Sequence, residues 1–241
     1  MSGRVMMPTI PDAVVRLVAD AEGELGQAFC RIDAIEAENT QKVLRALQRH
    51  RISARHFAAT TGYGYGDIGR DALSDVMADL MGAEAALVRP QIASGTHALA
   101  LCLYGLLRPG DALVSAAGKP YDTLEQVIAA GDGSLADFGV AYRQVELAGG
   151  RIDLPALLAA MDDRARVVLI QRSRGYDWRP SLSLDEVGHA AAAIHAAWPN
   201  AVVMVDNCYG EFTDVREPGD VGADVAAGSL INIPCNDPAT T

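Results

Sequence analysis

The sequence predicts an α/β protein, a mostly parallel sheet covered by helices, and three observations carry that reading. From Ala85 onward, short apolar runs alternate with segments of helical periodicity. Residues 201–205 are apolar throughout, the pattern of a strand buried on both faces. That run stops at Asp206-Asn207, a carboxylate and an amide placed where a strand leaves the sheet. Open α/β sheets bind ligands at the carboxyl ends of their strands. Alone, the dipeptide reads equally well as a polar turn, because Asp and Asn favour turns through local hydrogen bonds.

Taken in order, residues 1–55 read as a helical arm. Val14, Val15, Leu17 and Val18 form one apolar patch, and Val43, Leu44 and Leu47 form another at helical spacing. Pro11 ahead of the first run and charges throughout mark this arm as surface-lying. The composition then shifts to a loop over 56–69 rich in glycine and tyrosine, including Tyr63 and Tyr65. A helix follows over 71–82, with Leu73, Val76, Met77, Leu80 and Met81 on one side. Strands are expected at 86–88, 112–115, 141–145, 166–171 and 201–205, and helices at 96–107, 121–130, 154–161 and 184–198. The glycine clusters at 131–134 and 149–150 are loops.

At 241 residues the chain is long enough to bury a full core, and its 50% apolar, 21% charged composition is that of a globular protein. A net charge of -11 argues against a nucleic-acid or anionic-membrane partner, since both call for basic patches. No apolar run approaches the roughly 20 residues of a membrane span, and the amino terminus lacks the apolar core of a signal peptide. Cys30, Cys102, Cys208 and Cys235 show neither paired nor metal-type spacing. No metal is expected, and the thiols read as those of a reduced, cytoplasmic protein.

Residues able to do chemistry gather at the expected strand ends. Ser94-Gly95-Thr96-His97 lies between a strand and an apolar helix, where free amides and two hydroxyls face an anion, or where an N-cap merely follows a glycine turn. Gly118-Lys119-Pro120-Tyr121 again opens a helix, and the Tyr121 ring is placed either to lie against a flat ligand or to pack over the loop. Gln171-Arg172-Ser173-Arg174 brings two arginines to the same edge, as carboxylate or phosphate donors or as a solvated basic loop. One large ligand with an anionic group, a flat ring and an atom that pairs with Asp206 accounts for all four clusters together. A nucleotide-binding reading lacks both the GxGxxG and the Walker pattern.

Six blocks then resemble one family. They are Gly62-Tyr-Gly-Tyr-Gly-Asp-Ile-Gly-Arg-Asp71, Leu87-Val-Arg-Pro-Gln-Ile-Ala-Ser-Gly-Thr-His-Ala98, Pro120-Tyr-Asp-Thr-Leu-Glu125, Ile170-Gln-Arg-Ser-Arg-Gly-Tyr176, Val205-Asp-Asn-Cys-Tyr-Gly-Glu-Phe212 and Val221-Gly-Ala-Asp-Val-Ala-Ala-Gly-Ser-Leu-Ile231. In this order and spacing, over about 56–231, the chain resembles the methionine gamma-lyase-like, or aluminium-resistance, family of fold-type-I pyridoxal-phosphate enzymes. The resemblance implies a fold-type-I large domain over 56–241 after the helical arm, pyridoxal 5'-phosphate as cofactor, and carbon–sulfur lyase activity on a sulfur amino acid in a homo-oligomer. It implies that Ser94, Gly95 and Thr96 hold the cofactor phosphate with help from Ser229. Tyr121 would stack on the ring and Asp206 would pair with its protonated nitrogen. Tyr63, Tyr65 and Arg70 would reach a neighbouring subunit's site, and Arg172 would belong to the substrate side.

One position departs from the pattern. Where the family carries the lysine that binds the cofactor as a Schiff base, this sequence has Asn232 in Gly228-Ser229-Leu230-Ile231-Asn232. An amide can neither form that bond nor shuttle a proton. Lys119, the only lysine besides Lys42, sits in the wrong element to replace it. The resemblance also leads one to expect a further antiparallel strand and a carboxy-terminal domain, so the chain reads as a truncated member, inactive and poorly soluble alone. The alternative is a non-catalytic cofactor-binding or interaction protein.

Overall fold

A computed structural model describes residues 10–61 and 65–230. Helices α1 (Asp12–Glu24), α2 (Gly26–Arg49), α3 (Ile68–Leu80) and α4 (Gly95–Leu106) precede strand β1 (Ala112–Ser115). Helix α5 (Asp122–Glu125), prolonged by a π-helical turn over Gln126–Ala130, leads to β2 (Ala141–Gln144). Then follow α6 (Leu154–Ala159), β3 (Ala165–Gln171), α7 (Leu184–Ala197), β4 (Val202–Asp206) and β5 (Val225–Ala227). The strands form one parallel sheet in the order β2-β1-β3-β4-β5. The chain passes from β1 outward to β2 and returns across β1 to β3, so the order reverses at β1 and β3. Such a reversal opens a crevice at the carboxyl edge.

Alternation along the strands builds two cores, one on each face. Leu113, Val167, Leu169 and Met204 meet Leu99 and Leu103 of α4 with Leu124 and Ile128. Val114, Val168, Ile170, Val203 and Val205 meet Leu157 of α6 and Val187, Ala190, Ala191 and Ile194 of α7. Apolar residues of the central strands therefore have apolar partners on both faces, which is why residues 201–205 are apolar without interruption. Each such buried side chain stabilises the fold by about 1.5–3 kcal/mol. Ser183 starts α7 with a capping box, its hydroxyl accepting the Glu186 amide.

A third, smaller cluster joins Ala46 of α2 to Val76 and Leu80 of α3, with Val43, Leu47 and Phe212 packed against it. Asn39 shares the apolar face of α2 and donates to the carbonyls of Phe212 (2.9 Å) and Asp214 (3.0 Å), anchoring the helix to the turn after β4. Helix α1 buries nothing among the described residues, and Val14, Val15, Leu17 and Val18 are exposed.

The strand expected at 86–88 does not form. Leu87 is 66% exposed, and no described strand lies alongside to pair with this segment. Its place is held instead by Arg89, which donates to Ser74 Oγ at 2.8 Å and to the Val88 carbonyl. The remaining strands and helices fall within a few residues of their expected bounds, the helix after Tyr121 widening into a π-turn. Among the described residues no helix is long and apolar enough to cross a membrane, and β5 pairs with β4 alone.

Candidate active site

Strand β4 delivers Asp206 to the carboxyl edge opposite Gln171 of β3. The carboxyl is 2% exposed, and its Oδ1 accepts the Cys208 amide at 3.1 Å. Burial raises its pKa above the ordinary carboxyl value, and the amide and thiol of Cys208 oppose that rise. No described lysine or arginine forms an ion pair with it. Such a carboxyl is suited to a cationic N–H donor.

Tyr121 arrives from the neighbouring strand. The Ser115 hydroxyl donates to the Gly118 carbonyl at 2.6 Å, and Gly118 turns the chain with φ +78, a conformation that needs glycine. The Tyr121 amide donates to Gln171 Oε1 at 3.3 Å, across the crevice between β1 and β3. Its hydroxyl lies 3.0 Å from Thr96 Oγ1, which in turn lies 3.2 Å from Thr123 Oγ1. Burial pushes the Tyr121 phenol up to about 12, with the Thr96 hydrogen bond opposing and the charges of Asp206 and Cys208 adding to the rise.

The start of α4 closes the site. Ser94 Oγ accepts the His97 amide at 3.1 Å, and His97 Nδ1 accepts the Ala93 amide at 3.2 Å, which ties the ring to the turn before α4. The amides of Gly95 and Thr96 make no hydrogen bond to the described residues. A Cβ on Gly95 would stand 2.9 Å from Cys208 Sγ and 3.5 Å from Ser229 Cβ, so only glycine lets α4 approach both. Ser229, just after β5, is held by its own amide on Glu211 Oε1 at 2.8 Å. The structure thus brings Ser94, Gly95, Thr96, Tyr121, Asp206 and Ser229 together.

Other expected residues stand elsewhere. Arg172 turns inward instead of facing a ligand: Nε donates to the Leu182 carbonyl, Nη1 to Asn207 Oδ1 (2.7 Å) and the Gly210 carbonyl, and Nη2 to Thr213 Oγ1. Arg174 lies over the Trp178 ring at 5.7 Å in an outer loop. Arg70 pairs with Asp67, the N-cap of α3, at 3.3 Å, and Tyr65 is 91% exposed; neither hydrogen-bonds to the cluster. Tyr63 and Asn232 lie outside the described residues. Lys119 pairs with Glu125 at 2.9 Å, which raises its pKa and keeps its amine protonated.

Three residues of the turn after β4 carry no expected role from the sequence: Cys208, Glu211 and Glu217. Glu217 is wholly buried and accepts from Asn207 Nδ2 (3.0 Å) and the Phe212 amide (2.8 Å). Tyr209 and Phe212 hold φ of 68 and 58, unusual for residues with side chains, so this network stabilises a strained turn. The one signal for it in the sequence was the lone amide Asn39 in the apolar stripe with Val43 and Ala46.

The parallel sheet covered by helices on both faces is the large-domain fold of the fold-type-I pyridoxal-phosphate-dependent enzymes. The family model described as Methionine gamma-lyase matches residues 14–241, and the chain belongs to that family. It is 46% identical over 220 residues to the uncharacterized protein YnbB of Bacillus subtilis, covering 89% of this chain and 52% of that one. A carbon-sulfur lyase involved in aluminum resistance from Clostridium novyi superposes with a TM-score of 0.88 at 43% identity, over 92% of this chain and 54% of that one. The L-methionine gamma-lyase of Pseudomonas putida is 32% identical over 156 residues, 64% of this chain and 34% of the enzyme. The chain therefore spans about half the length of YnbB and of the Clostridium novyi lyase.

Proposed function

We propose that this chain holds pyridoxal 5'-phosphate in a site built for carbon–sulfur lyase chemistry on a sulfur amino acid, and that with Asn232 it holds the cofactor without covalent attachment and without turnover. The observation that carries the reading is Asp206, a buried carboxyl without an ion-pair partner among the described residues, beside a half-buried tyrosine and a helix start with unused amides. These features fit the cofactor's three parts. Asp206 would accept from the ring nitrogen, the Tyr121 ring would lie against the pyridine, and the Gly95 and Thr96 amides with the Ser94 and Ser229 hydroxyls would hold the phosphate. When bound, the cofactor supplies an electron sink for charge left on the substrate carbon. The Tyr121 hydroxyl, with its pKa near 12, keeps its proton at neutral pH and so orients without acting as a base. Arg172 shapes the floor of the site and binds no substrate in this reading. Tyr65 and Arg70, with Tyr63, are offered to a neighbouring copy, and a domain boundary near residue 55 separates the helical arm from the cofactor-holding domain.

The test is titration with the cofactor followed by absorbance and tryptophan fluorescence, then borohydride reduction and peptide mapping. Saturable binding that Asp206→Ala and Gly95→Val abolish, with no cofactor left on the chain after reduction, is the expected result. Unchanged affinity in both variants would refute the site. A reduced adduct on Lys119 or Lys42, together with amino-acid turnover, would refute the assignment of inactivity.

A further inference from the structure

The turn after β4 holds a second buried carboxyl, which the proposed function leaves unused. Glu211 is 3% exposed. Its Oε1 accepts the Ser229 amide at 2.8 Å, while Oε2 is buried with no hydrogen-bond partner among the described residues. Glu211 therefore ties the chain leaving β5 to the turn leaving β4, directly behind the Ser229 side chain that faces Gly95. The charged groups that act on it are Asp206 at the end of β4 and Arg172 just after β3, and Arg172 in turn faces Glu217 and Asp214 of the same turn. Arg172 gives its N–H groups to Leu182, Asn207, Gly210 and Thr213 and none to Glu211.

An ionised carboxylate with one oxygen buried and unpaired carries a heavy desolvation cost, which a carboxylic acid avoids. Two carboxyls in one low-dielectric pocket divide their roles according to which of them meets a cation. Resting on the phosphate and ring-nitrogen sites proposed above, we infer that Glu211 is an uncharged positioning residue: as a carboxylic acid it holds Ser229 against the start of α4 and leaves the negative charge of the pocket to Asp206. Burial is the largest influence on the Glu211 pKa and raises it. The Asp206 charge pushes the same way, and the surrounding backbone amides oppose it.

Glu211→Gln separates charge from shape, since glutamine keeps an acceptor for the Ser229 amide and is neutral at every pH. In the full chain its affinity for pyridoxal 5'-phosphate stays within about twofold of the unsubstituted protein. A carboxyl that is protonated when folded releases its proton on unfolding once the pH exceeds the ordinary carboxyl value. Its contribution to stability is therefore lost as pH rises. Above the ordinary carboxyl value, the fall of stability with rising pH becomes shallower in Glu211→Gln, by at most one proton. Glu211→Ala, lacking the acceptor, binds pyridoxal 5'-phosphate at least about tenfold more weakly, with little change toward pyridoxal, which has no phosphate. An affinity change beyond about tenfold in Glu211→Gln, or an unaltered slope, would show a charged carboxylate and overturn the inference. Equal loss of both ligands in Glu211→Ala, or no loss of either, would overturn the positioning role. If the unsubstituted chain binds no cofactor, the reading of the site fails, and the slope still decides the charge of Glu211.

Discussion

Arg172 receives acceptors from residues 182, 207, 210 and 213, and desolvation lowers its pKa without discharging it, because a guanidinium starts far above neutral pH. Its charge is balanced first by buried Glu217, then by Asp214. Removing it leaves Asn207 Oδ1 buried without its donor and Glu217 without the cation beside it. Arg172→Ala is expected to destabilise the chain by about 3–5 kcal/mol, read as a lower urea midpoint. Arg172→Lys recovers only part, since a single ammonium cannot reach the acceptors that Nε, Nη1 and Nη2 share. Unchanged stability in Arg172→Ala would contradict the structural role. At Asp206 the expectation is different. Asp206→Asn keeps the shape, relieves a buried charge and raises or preserves thermal stability, while cofactor affinity falls more than about tenfold. Calorimetry and a cofactor titration on the same variant check both halves.

Two elements set the geometry around these residues. Helix α4 stands on Leu99 and Leu103, both fully buried against the sheet residues Leu113, Leu169 and Met204. Leu103→Ala is expected to cost about 2–5 kcal/mol, measured by denaturant unfolding, because a tightly packed face cannot collapse into the cavity. Helix α2 reaches the site by Asn39, whose side-chain amide satisfies two carbonyls of the turn after β4. Asn39→Ala removes the donor from both part-buried carbonyls and should cost about 1–3 kcal/mol. Faster hydrogen exchange confined to residues around 209–217 would place that loss at the turn; protection unchanged there would show that the helix does not support it.

For the molecule as a whole, the buried acids govern the response to pH. Burial raises the pKa of Asp206, Glu211 and Glu217, whereas Arg143 holds Asp162 down at about 2. Each of the first three holds its proton to higher pH when folded than when unfolded, so its contribution to stability is lost as pH rises through its folded value. Asp162 acts in the opposite sense and loses its contribution only as pH falls below the ordinary carboxyl range. The unfolding temperature should therefore be higher at about pH 5.5 than at about pH 8, and a flat or rising profile would contradict the buried acids. The exposed apolar strip along α1, Val14, Val15, Leu17 and Val18, bears on association. Light scattering is expected to find a species larger than the monomer, and Val14→Asp with Leu17→Asp should reduce it.

Most of the architecture was readable from the sequence because periodicity is a local property. The runs at 112–115, 166–171 and 201–205 state their burial directly, and Ser94 marks a helix start by capping chemistry. Ser94, Gly95, Thr96, Tyr121 and Asp206 were legible because each follows a strand or opens a helix. The short segment at 86–88 failed because a strand exists only where a neighbour supplies its ladder. The direction of Arg172 failed for a related reason: an arginine at a strand end points to ligand or to core according to which acceptors lie nearest in space. Those acceptors come from residues 10 to 41 positions further along. Local pattern thus determined the strands, the helices and the edge at which chemistry gathers. Only tertiary structure decided which acids are buried, which cation serves the fold, and that Glu211 stands behind Ser229, because burial and pairing belong to segments distant in the chain.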